Sequence, residues 1–221
     1  MAGAEPARSR LRASRGRILV VALVVGLGVA VVAFALRRPE PTSFAPTAPL
    51  EAEVGERRTD PTLYTIDASS AVEWRFFDFS RGSVVSRPGP TDWDLAFRRF
   101  RIIANGGPGF AGSGGILDLG PAAFDTVHVV PARGYVANTT RGDSSNAAIG
   151  HWYRYGFTSH LLEPAGNVYA VKTADGRYAK VEILSYYCPG ARPGCLTFRY
   201  VYQGSGDRDF RDGSGARESP R

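Results

Sequence analysis

At 221 residues, with 12 Phe, 10 Tyr, 26 Gly and 15 Pro, the chain is long enough for one domain and too rich in helix interrupters for a bundle of long helices. The net charge of +6 does not describe a nucleic-acid binder. Seven arginines against one glutamate in residues 1–38 carry the whole excess, and the remainder is neutral.

The five arginines of residues 1–17 precede residues 18–36, an uncharged, mainly aliphatic run long enough to cross a bilayer. The positive-inside rule keeps residues 1–17 in the cytoplasm and sends the rest across the membrane. Ala33, Phe34 and Ala35 form a small-x-small pattern, so the run reads either as a transmembrane anchor or as a signal peptide cleaved after Ala35. In both cases the expected location is extracytoplasmic, on the periplasmic side if anchored and secreted if cleaved. Residues 37–60, rich in Pro, Glu, Arg, Ala and Thr, predict a flexible linker. Residues 61–203 form the expected β domain, and residues 204–221 have too little apolar surface to order, which predicts a disordered tail.

Within the domain, residues 71–79 alternate as a half-buried strand, with Val72, Trp74 and Phe76 on one face and Glu73, Arg75 and Phe77 on the other. Residues 91–97 repeat the pattern with Trp93, Leu95 and Phe97 inward, and Ile102 and Ile103 extend it after three arginines. Residues 107–112 satisfy G-x-G-x-x-G, but Ser113, Gly114 and Gly115 lead into Ile116 rather than into a helix. The motif therefore reads as a glycine-rich connection between strands, not a dinucleotide loop. The clearest unit is a three-stranded meander over residues 167–203. Asp175 and Gly176 suit a tight turn, and Leu196, Phe198, Tyr200 and Tyr202 share a face.

Cys188 and Cys195 are the only cysteines, and after export they predict a disulfide closing a short loop. Asp92, Asp94, Asp118 and Asp125 show no spacing that would set two carboxylates across a substrate, and Asp94 is expected to neutralise Arg98 or Arg99. Neither a G-x-S-x-G elbow nor an H-E-x-x-H pair occurs, so the chain reads as a binding protein and not an enzyme. Three histidines remain. His128 lies in an expected strand, His151 opens the aromatic stretch ending at Tyr155, and His160 follows Phe157, Thr158 and Ser159. A lone histidine is ordinarily exposed or satisfied by backbone, yet imidazoles among aromatics also suit a flat cofactor such as haem.

Residues 91–99, Asn105 with Gly106 and Gly107, residues 112–115, 169–180, 184–187 and 196–203 together resemble the HmuY family of exported bacterial proteins. The resemblance covers about residues 63–203. It implies a single antiparallel all-β domain, haem capture as the function, and an outer-membrane receptor as partner. Characterised members ligate haem iron through paired histidines or methionines. Here the only methionine is Met1, so the implied axial pair is His128 with His160, with His151 as alternative and Tyr153 and Tyr155 as fallback ligands. The chain lacks the lipid-attachment cysteine of haem-scavenging members, so its membrane contact is expected through residues 18–36. The alternative reading keeps the fold without an iron site, as an envelope structural or interaction module with a protein partner. Neither reading involves nucleic acid.

Overall fold

The computed structural model describes residues 7–36, 39–49, 61–140 and 145–211, with helix side chains given for residues 17–33. Two compact units result, Met1–Glu40 and Pro41–Arg221. The first contains helix α1 (Ala7–Leu36). Ile18, Leu23, Leu27 and Val31 are each more than half exposed, so the helix is apolar on every side rather than along one stripe. The span expected over residues 18–36 runs past Ala33, the last helix residue with a described side chain. Among the described residues, no helix is long and apolar enough to cross a membrane.

The second unit contains β1 (Thr62–Asp67), β2 (Arg75–Asp78), β3 (Ser83–Val85), β4 (Leu95–Arg98), β5 (Arg101–Ala104), β6 (Gly115–Pro121), β7 (Tyr153–Tyr155), β8 (Leu162–Pro164), β9 (Asn167–Lys172), β10 (Tyr178–Cys188) and β11 (Arg192–Gln203). Among the described residues these strands form a five-stranded sheet in the order β1-β11-β10-β9-β6, a four-stranded sheet β3-β2-β4-β5, and the β7-β8 hairpin. Every strand pairing is antiparallel, as expected.

The core lies between the two larger sheets. Leu196, Phe198, Tyr200 and Tyr202 of β11 enter it together, as their two-residue spacing requires, and meet Phe77, Phe79, Leu95 and Phe97 from the facing sheet. Phe77 contacts Phe198 edge to face at 5.2 Å, and Phe97 stacks on Phe198 at 5.5 Å. Val168, Ala170 and Val201 point to the outer face of the five-stranded sheet, where Phe124, Val130 and Phe210 cover them. Trp93, Ala96 and Ile103 form a third cluster with Trp74, Phe76 and Phe110 on the outer face of the four-stranded sheet. The expected meander and the disulfide between Cys188 and Cys195 are both present.

Several expectations need correction. Val72 is 80% exposed and precedes β2. Trp74 and Phe76 share a face, but it is the outer one, and Phe77 with Phe79 enters the core. Aromatics on both faces of this stretch deprive the two-residue period of any power to choose between them. Trp93 is not inward with Leu95 and Phe97, because β4 begins only at Leu95; its ring packs against Phe76 at 5.0 Å. Asp94 pairs with neither Arg98 nor Arg99 and instead accepts the backbone N–H groups of Phe79 (2.9 Å) and Ala174 (2.8 Å). His128 is not in a strand: a 3-10 turn, Phe124–Thr126, is followed by extended chain with a single bridge between Val129 and Asp209.

The linker and tail boundaries also move. Residues 41–49 lie against the domain: Phe44 N–H donates to the Tyr187 carbonyl (3.0 Å), Thr47 N–H to the Thr65 carbonyl (2.8 Å), and Thr65 N–H back to Thr47 Oγ1 (2.9 Å). Ser185 Oγ donates to the Thr42 carbonyl. Of the expected linker, residues 50–60 lie outside the described residues. At the other end, Phe210 is buried, and its N–H donates to the His128 carbonyl. The expected disordered tail therefore holds a packed stretch as far as Arg211, and residues 212–221 lie outside the described residues.

The glycine-rich connection does join strands. A Cβ on Gly106 would lie 1.9 Å from the Gly114 carbonyl oxygen, so two backbones cross at a distance no other residue allows. Asn105 secures the crossing by donating to the Pro90 and Trp93 carbonyls and accepting from Gly112 N–H.

Candidate functional site

The β7-β8 hairpin combines an anchored base with an exposed aromatic tip. At its base Trp152 is buried, its Nε1–H donates to the Phe100 carbonyl (2.8 Å), and Ala165 N–H donates to the Trp152 carbonyl (2.8 Å). Leu161 and Leu162 pack on the main core, and Leu162 N–H donates to Tyr187 Oη at 2.8 Å. The connecting residues close with hydrogen bonds from Gly156 N–H to the Leu161 carbonyl and from His160 N–H to the Gly156 carbonyl.

That closure puts His160 at φ +56°, a left-handed conformation uncommon outside glycine. It also brings the imidazole Nδ1 to 2.6 Å from Tyr155 Oη. The Tyr155 ring touches Phe157 at 5.5 Å and His160 at 5.9 Å. Phe157 is 84% exposed and Tyr155 46%. The hairpin thus presents large aromatics to solvent at the tip while its base is packed into the core. In the tautomer with the proton on Nδ1, His160 donates to Tyr155 and Nε2 keeps a lone pair for a metal, the arrangement by which a partner orients a ligating histidine.

His128 and His160 belong to different elements, the extended chain after the Phe124–Thr126 turn and the connection of the β7-β8 hairpin. His128 follows Val127, whose carbonyl accepts from Lys180 Nζ (2.9 Å) on the outer face of the five-stranded sheet. His160 precedes Leu161 and Leu162, which pack on the inner side beside Tyr187. Lys180 and Tyr187 are separated along β10 by roughly 20 Å at ~3.3 Å per strand residue. His151 is exposed at the base of the hairpin, away from the tip. Among the described residues, no group of three or more His, Cys, Asp or Glu could hold a metal ion. His160 is held by Tyr155 through the 2.6 Å contact to Nδ1, with the Tyr155 ring beside it.

A separate cleft of about 290 Å³ lies between the residue 46–49 segment, β1 and β3, with Tyr64, Ile66 and Val84 among its walls. It sits at the lower end of the ~300–1,000 Å³ typical of small-ligand pockets, and no histidine lines it.

The sequence pattern named His160 and Tyr155 separately but not as a pair. Gly156, between a Tyr-Arg-Tyr alternation and a polar stretch, was the available signal for a hairpin.

The family model described as HmuY protein matches residues 70–200. The fold is similar to the crystal structure of an HmuY-like protein from Bacteroides vulgatus. That likeness has 24% identity and a TM-score of 0.52, and covers 68% of this chain and 98% of that one. It is also similar to the apo HmuY analog of Tannerella forsythia, at 17% identity and a TM-score of 0.54, covering 69% of this chain and 99% of that one. No curated protein matches the chain.

Proposed function

Because the chain belongs to the HmuY family, we propose that it is a non-catalytic, extracytoplasmic binding protein that takes haem or a related porphyrin on the β7-β8 hairpin. Haem, when bound, would supply an iron centre that takes a nitrogen ligand from the protein. The chain's own part is to present His160 with its Nδ1 engaged by Tyr155, and to offer Tyr155 and Phe157 as apolar support for a flat ring. The 2.6 Å contact between Tyr155 Oη and His160 Nδ1 carries this reading. Residues 18–36 are the proposed membrane attachment, with the domain on the periplasmic side, or released if cleavage follows Ala35.

A second reading, an envelope interaction module on the same fold without haem, is supported by the placement of His128 and His160 on different elements. Hemin titration followed at the Soret band separates the two. The wild type should saturate at one equivalent, His160→Ala should weaken binding at least tenfold, and His128→Ala should leave it unchanged. An absence of saturable binding by the folded wild type, or equal losses in both variants, would overturn the hairpin site.

A further inference from the structure

The turn between β4 and β5 places Arg98, Arg99 and Arg101 within four residues. Arg98 and Arg101 face each other directly across the antiparallel pair. Like charges in that position destabilise a sheet. Among the described residues, none of the three forms an ion pair, although Arg75, Arg81, Arg177, Arg199 and Arg211 all do. Arg98 lies over the Trp74 ring at 4.4 Å, and its buried Nε has no hydrogen-bond partner. Arg99 donates to the Ser69 carbonyl at 3.0 Å and holds φ +56°. Arg101 sits 5.9 Å from the Phe100 ring centre.

This cationic turn adjoins the aromatic hairpin. The Phe100 ring touches Tyr153 at 5.7 Å, and the Phe100 carbonyl accepts from buried Trp152. Tyr153 and Tyr155 share one face of β7 because side chains alternate along a strand. Phe100 and Tyr153 therefore link the arginine turn to the strand that carries Tyr155 and, beyond it, His160.

On the reading that the hairpin takes a porphyrin, we propose that the Arg98–Arg101 turn recognises the carboxylate groups on the ligand's periphery. Cross-strand arginines without a protein carboxylate gain from an incoming one, which arginine's planar fork meets with paired hydrogen bonds. The turn then selects dicarboxylate tetrapyrroles over neutral ones of the same shape.

The test compares hemin with its dimethyl ester, which keeps ring and iron but removes both negative charges, on the full chain in detergent. The wild type should bind hemin at least tenfold tighter than the ester. In the double variant Arg98→Gln, Arg101→Gln this preference should fall to near unity with affinity for the ester unchanged, and Arg101→Lys should retain part of it. Equal affinity of the wild type for both compounds, or a preference that survives in the double variant, overturns the arginine assignment while leaving the hairpin site standing. Failure of the wild type to bind either compound overturns the hairpin site itself, and the arginine assignment with it.

Discussion

Asp94 joins the two sheets through a single carboxyl group. Its oxygens accept from Phe79 at the end of β2 and from Ala174 in the β9-β10 turn, 80 residues further along the chain. Burial pushes its pKa up to about 7, opposed by the Ala174 N–H, assisted by the Asp78 charge, and opposed again by the Phe79 N–H. A folded value above the ordinary 3.8 means that the folded protein holds the proton more tightly than the unfolded chain. The associated stability is fully present below about pH 4 and is lost as the pH rises through about 7. Asp94→Asn keeps one acceptor but turns an amide NH₂ toward the other backbone donor, which should cost about 1–3 kcal/mol. In urea unfolding, the wild type's advantage over this variant should be largest near pH 4 and shrink toward pH 8; an advantage that grows with pH would show that the ionised form is the preferred one. The sequence showed an aspartate near two arginines, and proximity in sequence favoured an ion pair. The partners it actually uses are backbone N–H groups brought in by folding, which side-chain patterns do not display.

At the scale of elements, the residue 41–49 strap covers part of β1 and the end of β10. Strand β1 ends the five-stranded sheet, and an open edge would expose unpaired backbone groups. Thr47 answers this locally by pairing with Thr65 in both directions. Thr47→Val removes the acceptor for Thr65 N–H and should lower stability by about 1 kcal/mol, read from the urea midpoint at constant slope. An unchanged midpoint would place the strap outside the cooperative unit. Composition could not reveal this element: a Pro-rich segment without apolar periodicity looks like a spacer, and what orders it is backbone pairing with strands far along the chain. The tail is similar, since Phe210 is its only large apolar residue before Arg211 and gains a buried site only because Phe124 and Val130 lie beside it. Strap and hairpin also converge on one residue: the Tyr187 carbonyl accepts from Phe44 and its hydroxyl oxygen accepts from Leu162.

For the whole molecule, the proposed export of the disulfide-bonded domain behind a basic N-terminus and an apolar segment is testable in cells. In cells, an alkylating reagent that enters only the periplasm should leave Cys188 and Cys195 unlabelled until a reductant is added, and protease added to spheroplasts should remove the domain. Thiols reactive without reductant, or a domain protected from protease, would refute this topology. The antiparallel fold, the closing meander and the cysteine pair were legible in the sequence because alternation, turn dipeptides and paired cysteines act over short distances. Only the tertiary structure decided which aromatic face of β2 entered the core, where Asp94 found its partners, and that His160 meets Tyr155. Those outcomes depend on contacts between segments distant in sequence, and one chain's local pattern carries no record of which distant segment will arrive.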